Sequence, residues 1–581
     1  MGAFVEVHWR RAQASTALRP RRCHCHAGPI IHRAMDMPPA PATLTVLDTD
    51  CRSLAAVALM LHDAPGDTLH YVALLGSGES TWLQSLAADL ASAHWSQELQ
   101  RQWPLVQGPG IHQLPLLPGR LHLTVGLGDP QSCLQQLRLQ ADRVLLNDWD
   151  TDLGRPKALT RCCRRGTTVH APIDWLQASE AQRSLWHQAG FRATAGAVQW
   201  DPPWDIKTSR EPWRSYATAP GQCMVVGAGI AGAAVAAALA RRGWQVQVLD
   251  SHAHPAGGAS GLPVGLAAPY VTADDSPLAR LTRHGVRLLM QHARTLLQSG
   301  RDWAPSGVQE RSTGDNASDH WQPQACWIRP AALVQAWLQT PGVQFVPNSA
   351  GHHLHHDGAD WQVCDAHNQI LAQGQRVVLS NAAGATTVLG QSTEWPDALA
   401  QWPTTHTVRG LVSWGTHQQP ETRPFPTVPL HGSGSLIAHV PFGHEERWFV
   451  GASYQPVTAR ETEWPDDKNH GANALRLEKL APELFAALTP ELEAGALQAW
   501  KGQRCVTADR MPLLGPVAPG LPDVWACAGF GSRGLSLVAL CAELLAAQWS
   551  GEPWPLDASL AEALLPSRKK TSGKPSATVA P

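Results

Sequence analysis

No unbroken apolar run in this 581-residue chain reaches the roughly 18 residues that a membrane-spanning helix needs, so no membrane partner is expected. The longest apolar stretch, Cys223 to Ala240, is interrupted by Gly227, Gly229 and Gly232. Charge of one sign is missing too. Lys and Arg number 46 against 48 Asp and Glu, which leaves a formal charge of -2. No global basic field announces nucleic acid, and any such partner must be met by a local patch. Paired C-x-x-C motifs are absent, and 12 scattered cysteines make no disulfide scaffold in a chain this long. Reduced thiols in a cytoplasmic protein are the expectation. Cys23-His24-Cys25-His26 packs its ligands too closely for a zinc finger and has no second pair at finger spacing, so no metal site is expected. Residues 1–42 hold Arg, His, Cys and Pro but no apolar core of a secretory signal. They read as disordered, or as the product of a start placed too early, with Met35 and Met37 as alternatives.

The whole chain is 44% hydrophobic and 16% charged, and is long enough for two or three globular domains. Residues 43–200 alternate short apolar runs with helical patterns and read as α/β. Strands are expected at Thr43–Leu47, Leu69–Leu75, Leu121–Val125 and Val144–Leu146, and an amphipathic helix at Leu83–Trp103. Residues 201–220 are rich in Pro, Trp and charge and read as a linker. A regular α/β domain with long inserts follows over 221–566. The polar tail, 567–581, reads as disordered.

The strongest motif opens that second region. Cys223–Val226 is a short buried strand, followed by Gly227-Ala-Gly229-Ile-Ala-Gly232 and an Ala-rich helix to about Arg242. A second strand, Gln245–Leu249, ends at Asp250. This is a dinucleotide-binding unit: Gly227 for the tight turn, Gly229 for close approach of backbone to a pyrophosphate, and Gly232 for helix–strand packing. Asp250 stands where a carboxylate accepts hydrogen bonds from ribose hydroxyls. Two later features choose FAD over NAD. Ala259, Ser260 and Gly261 are small enough to let backbone pass the flavin side of the cofactor. A second glycine cluster, Gly529-Phe-Gly531-Ser532-Arg533-Gly534, opens a helix at Leu535–Gln548 and can aim N–H groups at the isoalloxazine edge.

These blocks resemble one family. GASGLPVGLAAPYVTADDSPLARLTRHG (258–285), WIRPAALVQA (327–336), VRGLVSW (408–414), GQRCVTADRMPLLGPV (502–517) and the GFGSRG cluster are similar to the C-terminal oxidoreductase half of the bifunctional tRNA 5-methylaminomethyl-2-thiouridine biosynthesis proteins. That half belongs to the D-amino-acid oxidase superfamily. The resemblance implies a Rossmann-type FAD-binding domain with an inserted antiparallel-sheet substrate domain, preceded by a degenerate Rossmann-like methyltransferase domain. It implies oxidation of the side-chain amine of 5-carboxymethylaminomethyl-(2-thio)uridine at the tRNA wobble position, giving 5-aminomethyl-(2-thio)uridine and glyoxylate. The substrate ends in a carboxylate, so an arginine anchor is expected. Arg504 is the first candidate, because R-C-V-T-A-D-R-M-P resembles the segment that carries the carboxylate-binding Arg of related amine oxidases; Cys505 stands where those have proline. An ion pair of Arg504 with Asp509 is the structural alternative. Arg533 is the second candidate, unless it serves the glycine turn. Arg409 is read either as a phosphate contact or as a strand cap.

Residues 43–200 resemble the family's S-adenosylmethionine-dependent half weakly, with its motifs damaged. The expected glycine loop aligns with Leu47–Leu54, where Asp48 and Asp50 replace both glycines. The expected ribose acid is Leu75. Asp148 after a later strand, and Asp129, are the residues that still offer carboxylates. S-adenosylmethionine is therefore doubtful as a cofactor. The competing functions are a fully bifunctional enzyme, a free amino-acid (glycine-type) oxidase, and a non-catalytic tRNA-binding flavoprotein. The 25 Trp permit base stacking but are more often core. The sequence sets no oligomeric state.

Overall fold

Thr43–Asp48 reads T-L-T-V-L-D, a strand whose centre is apolar on both faces, and it lies in the middle of a sheet. A computed structural model describes residues 43–51, 54–63, 67–76, 94–103, 106, 108–146, 156–171, 175–194, 197–206, 218–311, 319–392, 402–417, 423–457, 464–518 and 520–568. The N-terminal sheet has eight strands, in the order Gly110–Leu117, Leu121–Leu127, Thr68–Leu74, Thr43–Asp48, Ala141–Leu145, Cys163–His170, Ala197–Trp200 and Phe191–Thr194. The central five run parallel, and the outer three are antiparallel additions. All four expected strands form, with ends that differ from the expected ones by at most three residues. Of the expected helix Leu83–Trp103, His94–Gln102 is helical and 77–93 lie outside the described residues. The residue numbers 1–42, 147–150 (with Asp148), 207–217 of the linker and 569–581 also lie outside them.

The second sheet has six strands, centred on Gln222–Val226. That strand pairs in parallel with Gln245–Leu249 on one side and Arg376–Leu379 on the other; Val524–Ala528 extends the sheet. Its helices pack closely because the facing residues are small. Ile230–Ala240 is buried from Ala231 to Ala240 and lies against Gly534–Ser550, which in turn packs on Pro277–Leu296 through Leu281, Leu288, Leu537 and Leu540. The third large sheet is mainly antiparallel. Its long ladder pairs Thr405–Thr416 with Gln498–Thr507, in a register that sets Val408 opposite Arg504. Trp448, Leu436, Leu477 and Leu484 bury one of its faces under two helices, Asp466–Leu480 and Pro482–Glu493.

The outer strand of the N-terminal sheet is an edge, and an edge exposes unpaired carbonyls. Here side chains of the Pro277–Leu296 helix cover it: Arg287 donates to the Gln113 carbonyl at 3.0 Å and Gln291 to the Pro115 carbonyl at 2.7 Å. The chain's C-terminal segment closes the same seam, with Trp554 N–H donating to the Arg138 carbonyl and Ser559 N–H to Gln136. The ten described cysteines are all buried, and none of them forms a disulfide with another.

Candidate active site

The first glycine turn shows three different surroundings. Gly227 has φ +106, which only glycine adopts readily, and a Cβ there would meet the Asn381 backbone at 2.8 Å. A Cβ on Gly232 would overlap the Gly227 carbonyl oxygen, so this glycine serves the strand–helix packing. On Gly229 a Cβ would meet only the Ser260 hydroxyl, at 3.2 Å, and open space beyond. That open space lies at the N-terminus of the Ile230–Ala240 helix, the position a pyrophosphate takes. The donor set and the cradle therefore fit FAD. Asp250 closes the turn from below: one carboxylate oxygen accepts the Ala228 N–H at 2.7 Å and the other the His252 N–H at 2.9 Å. Ser260 does something the sequence reading missed. Its hydroxyl accepts the Ile230 N–H at 2.8 Å, capping the helix from a short 3-10 turn, Ala259–Gly261. Ala259 and Gly261 flank it; a Cβ on Gly261 would meet the Ala256 carbonyl oxygen at 2.9 Å.

The second glycine cluster, some 300 residues downstream, arrives at the same place. A Cβ on Gly534 would lie 3.9 Å from Ile230 Cγ2, so the two glycine turns face one another. Gly531 has φ +56 and donates its N–H to the Cys505 carbonyl, which ties the turn to the strand that carries Arg504. Arg533 is the N-cap of the Gly534–Ser550 helix and makes no side-chain cap. Its guanidinium lies instead over the Tyr270 ring, 4.6 Å from the centroid.

Arg504 is half-buried, and its Nη1 donates to Ser532 Oγ at 3.5 Å. Burial lowers its pKa, with nearby Tyr454 acting slightly the other way. Asp509 is not its partner: that carboxylate takes two hydrogen bonds from Arg568, at 2.7 and 2.8 Å, which pull it below the usual range against the opposing effect of burial. No carboxylate among the described residues pairs with Arg504 or with Arg533, and burial also lowers the Arg533 pKa. Gly410 makes room for Arg504, since a Cβ there would lie 3.1 Å from its Nη2. The sequence signal for that glycine was present in VRGLVSW but pointed only to Arg409. Arg409 itself sits mid-strand opposite Gln503 and lies 5.6 Å from the Trp464 ring, so it caps no strand.

In the N-terminal sheet the described residues expected beside a methyl-donor cofactor bond to the protein itself. The crevice lies where the strand order reverses, beyond Asp48 and Leu145. Asp48 accepts the Tyr71 hydroxyl at 2.6 Å, and burial raises its pKa. Leu75, 6% exposed, donates its N–H to the Gly126 carbonyl. Asp129 caps the short helix Pro130–Gln136, accepting the Ser132 N–H at 2.9 Å. Elsewhere, His417, His439 and Glu446 bring ligand atoms within 4.8 Å of one another. They already satisfy one another: His439 Nδ1 bonds Glu446 at 2.9 Å, and the His439 N–H donates to His417 Nε2 at 3.2 Å.

Comparison with known proteins agrees with this geometry. The family model described as FAD dependent oxidoreductase matches residues 222–308 and 291–548. The tRNA 5-methylaminomethyl-2-thiouridine biosynthesis bifunctional protein MnmC of Albidiferax ferrireducens is 42% identical over 535 residues, 85% of this chain and 87% of that one. The protein of the same name from Polaromonas naphthalenivorans is 38% identical over 531 residues, 81% of this chain and 80% of that one. Among solved structures, the glycine oxidase of Geobacillus kaustophilus covers 60% of this chain and 99% of its own, at 17% identity and a TM-score of 0.48. This chain is an FAD-dependent oxidoreductase and belongs to the family of tRNA 5-methylaminomethyl-2-thiouridine biosynthesis bifunctional proteins.

Proposed function

We propose that the chain removes the carboxymethyl group of 5-carboxymethylaminomethyl-(2-thio)uridine at the wobble position of tRNA and leaves 5-aminomethyl-(2-thio)uridine. The observation that carries this reading is Arg504, a half-buried guanidinium with no described carboxylate partner, tied to the glycine turn through Ser532. A cation so placed is complete only when an anion reaches it. The substrate's terminal carboxylate supplies that anion and sets the adjacent N–CH₂ bond beside the turn. FAD supplies the two-electron oxidation of that bond, whose imine product water cleaves to glyoxylate and the aminomethyl nucleoside. Arg504 fixes the reacting carbon by a charge-assisted bond to its carboxylate.

The test uses tRNA carrying the carboxymethylaminomethyl group and nucleoside mass analysis of the product. Arg504→Ala should lower catalytic efficiency about 30- to 1000-fold and leave the flavin bound, as expected for a lost contact of roughly 2–4 kcal/mol. An Arg504→Ala protein that turns over normally would remove the anchor from this reading.

The relatives' names favour a second reading, in which the same chain also methylates its product with S-adenosylmethionine. The Asp48–Tyr71 pair and Leu75 speak against it. Both glycines of the expected loop are replaced, and losing the ribose hydrogen bonds costs on the order of 1–3 kcal/mol. We therefore place the end of this chain's reaction at the aminomethyl nucleoside. Calorimetry with S-adenosylmethionine should show no micromolar binding, and labelled cofactor should transfer no methyl to aminomethylated tRNA. Stoichiometric transfer would restore the bifunctional reading.

A further inference from the structure

The chain has four tyrosines, and two of them stand exposed beside the two site arginines. Tyr270 is 42% exposed and lies under the Arg533 guanidinium. Tyr454 is 51% exposed and follows Ser453, whose carbonyl oxygen and the Arg504 guanidinium both border Gly410, 3.0 and 3.1 Å from where a Cβ would stand there. A short path joins them: Ser453, which precedes Tyr454, and Arg504 both border Gly410, Arg504 bonds Ser532 Oγ at 3.5 Å, and Arg533, next in the chain, lies over Tyr270 at 4.6 Å. Both rings follow strand or loop segments that make no use of them in the core. Tyr270 donates its backbone N–H to Thr282 Oγ1 at 2.8 Å, which fixes the residue while its ring stays exposed beneath Arg533. Tyr454 follows Ser453, whose buried hydroxyl accepts the Leu411 N–H at 3.0 Å. Each phenol is thus presented by an anchored backbone, not by a loose one.

We propose that Tyr454 and Tyr270 form the stacking platform for the pyrimidine base that carries the reacting side chain and for the nucleotide beside it. The inference rests on the function proposed above and names the subsite that function needs. The substrate's carboxyl carbon is separated from the ring by four single bonds, a reach of about 5 Å at roughly 1.5 Å each. With the carboxylate on Arg504, the base must lie within about that distance of it, on the side where these two exposed rings stand. A planar base gains stacking and hydrophobic burial there, largely irrespective of its identity. Arg533, already stacked on Tyr270, leaves guanidinium N–H groups for a phosphate of the same strand. An oxidase of free amino acids has a substrate that ends at the nitrogen and would gain little from either ring. The pair therefore sets a preference for a polynucleotide substrate over small amines.

The experiment mixes the FAD-loaded enzyme anaerobically with tRNA carrying 5-carboxymethylaminomethyluridine and follows flavin bleaching near about 450 nm as a function of tRNA concentration. Tyr454→Ala and Tyr270→Ala should each raise the half-saturating tRNA concentration about 5- to 100-fold, with the loss falling on affinity more than on the limiting rate. Tyr454→Phe and Tyr270→Phe keep a ring and should stay within about threefold of the parent. Alanine variants that saturate at the parent concentration overturn the proposal. Phenylalanine variants as weak as the alanine ones overturn it too, because the contact is then a hydroxyl hydrogen bond and not stacking. Failure of the unaltered enzyme to bleach with the modified tRNA is a different result: it removes the proposed function, and this subsite with it.

Discussion

Gly229 and Gly232 sit three residues apart in one turn, yet a methyl group meets opposite surroundings at each. At Gly232 it collides with the Gly227 carbonyl oxygen and lies 3.1 Å from a Val225 methyl. Gly232→Ala should therefore destabilise the fold itself, by about 1–3 kcal/mol or more, visible as a lower denaturant midpoint. At Gly229 the backbone has φ -78 and ψ -173, which a β-branched residue accepts, and only Ser260 is near. Gly229→Val should fold and yet lose flavin, with absorbance near about 450 nm falling roughly tenfold or more per mole of protein. A yellow Gly229→Val protein would mean that the pyrophosphate lies elsewhere. The packing role of Gly232 was legible in the sequence because turn chemistry is local: it acts within a few residues of itself. The same is not true of Tyr454 or Gly410, which matter only because a strand pairing brings Arg504 alongside them.

At the scale of elements, the cap on the Ile230–Ala240 helix comes from outside the helix. Ser260 accepts the first N–H of that helix, and the sequence separation of 30 residues hides the relation from any local reading. Ser260→Ala should cost about 0.5–2 kcal/mol in chemical unfolding and weaken FAD retention, because the helix N-terminus loses a fixed neighbour. Ser260→Thr retains the hydroxyl and should lie close to the parent; equal losses in both variants would assign the effect to packing. Elements with strong period or composition were readable, as the strands Gln222–Val226 and Gln245–Leu249 and the helix Gly534–Ser550 show. The edge strand Gly110–Leu117 and the hairpin of Phe191–Thr194 with Ala197–Trp200 were not expected. Their registers come from a neighbour in the sheet more than from their own residues. Asp129 shows the reverse error, a carboxylate offered as a ligand that serves as a helix cap.

At the scale of the whole molecule, five histidines meet along the seam between the N-terminal sheet and the flavin half, drawn from distant parts of the chain. His70 and His122 stack at 4.7 Å, and His112 lies 4.8 Å from His284. His292 lies 4.0 Å from Glu543. Burial is the main cause in each case: it pushes His112 and His122 down to about 3 and His292 to about 4, and lowers His70 and His284 as well. Around them, Arg242 binds Glu552 at 2.7 Å and Glu543 at 3.0 Å, Glu552 lies 3.8 Å from His70, and Arg287 lies beside His284. Burial pushes both of these carboxyls up, but the arginines hold them below their ordinary values. The sign then follows. In the unfolded chain the imidazoles take protons near pH 6.5, whereas in the folded chain they stay neutral to lower pH, about 3 for His112 and His122 and about 4 for His292. Their contribution is fully present above about pH 6.5 and is lost as the pH falls toward the folded values, and the depressed carboxyls add a loss of the same sign at still lower pH. Each such histidine contributes a slope of about 1.4 kcal/mol per pH unit at its limit. Unfolding free energy from denaturant titrations should thus be nearly level from pH 8 to 7. It should drop below pH 6.5, with a slope near pH 5.5 equal to about three to five protons taken up on unfolding. Replacing one partner of the stack, His122→Phe, removes one titrating group and should flatten that slope by about one proton. A profile that stays level down to pH 5 would mean that the seam histidines ionise freely in the folded protein.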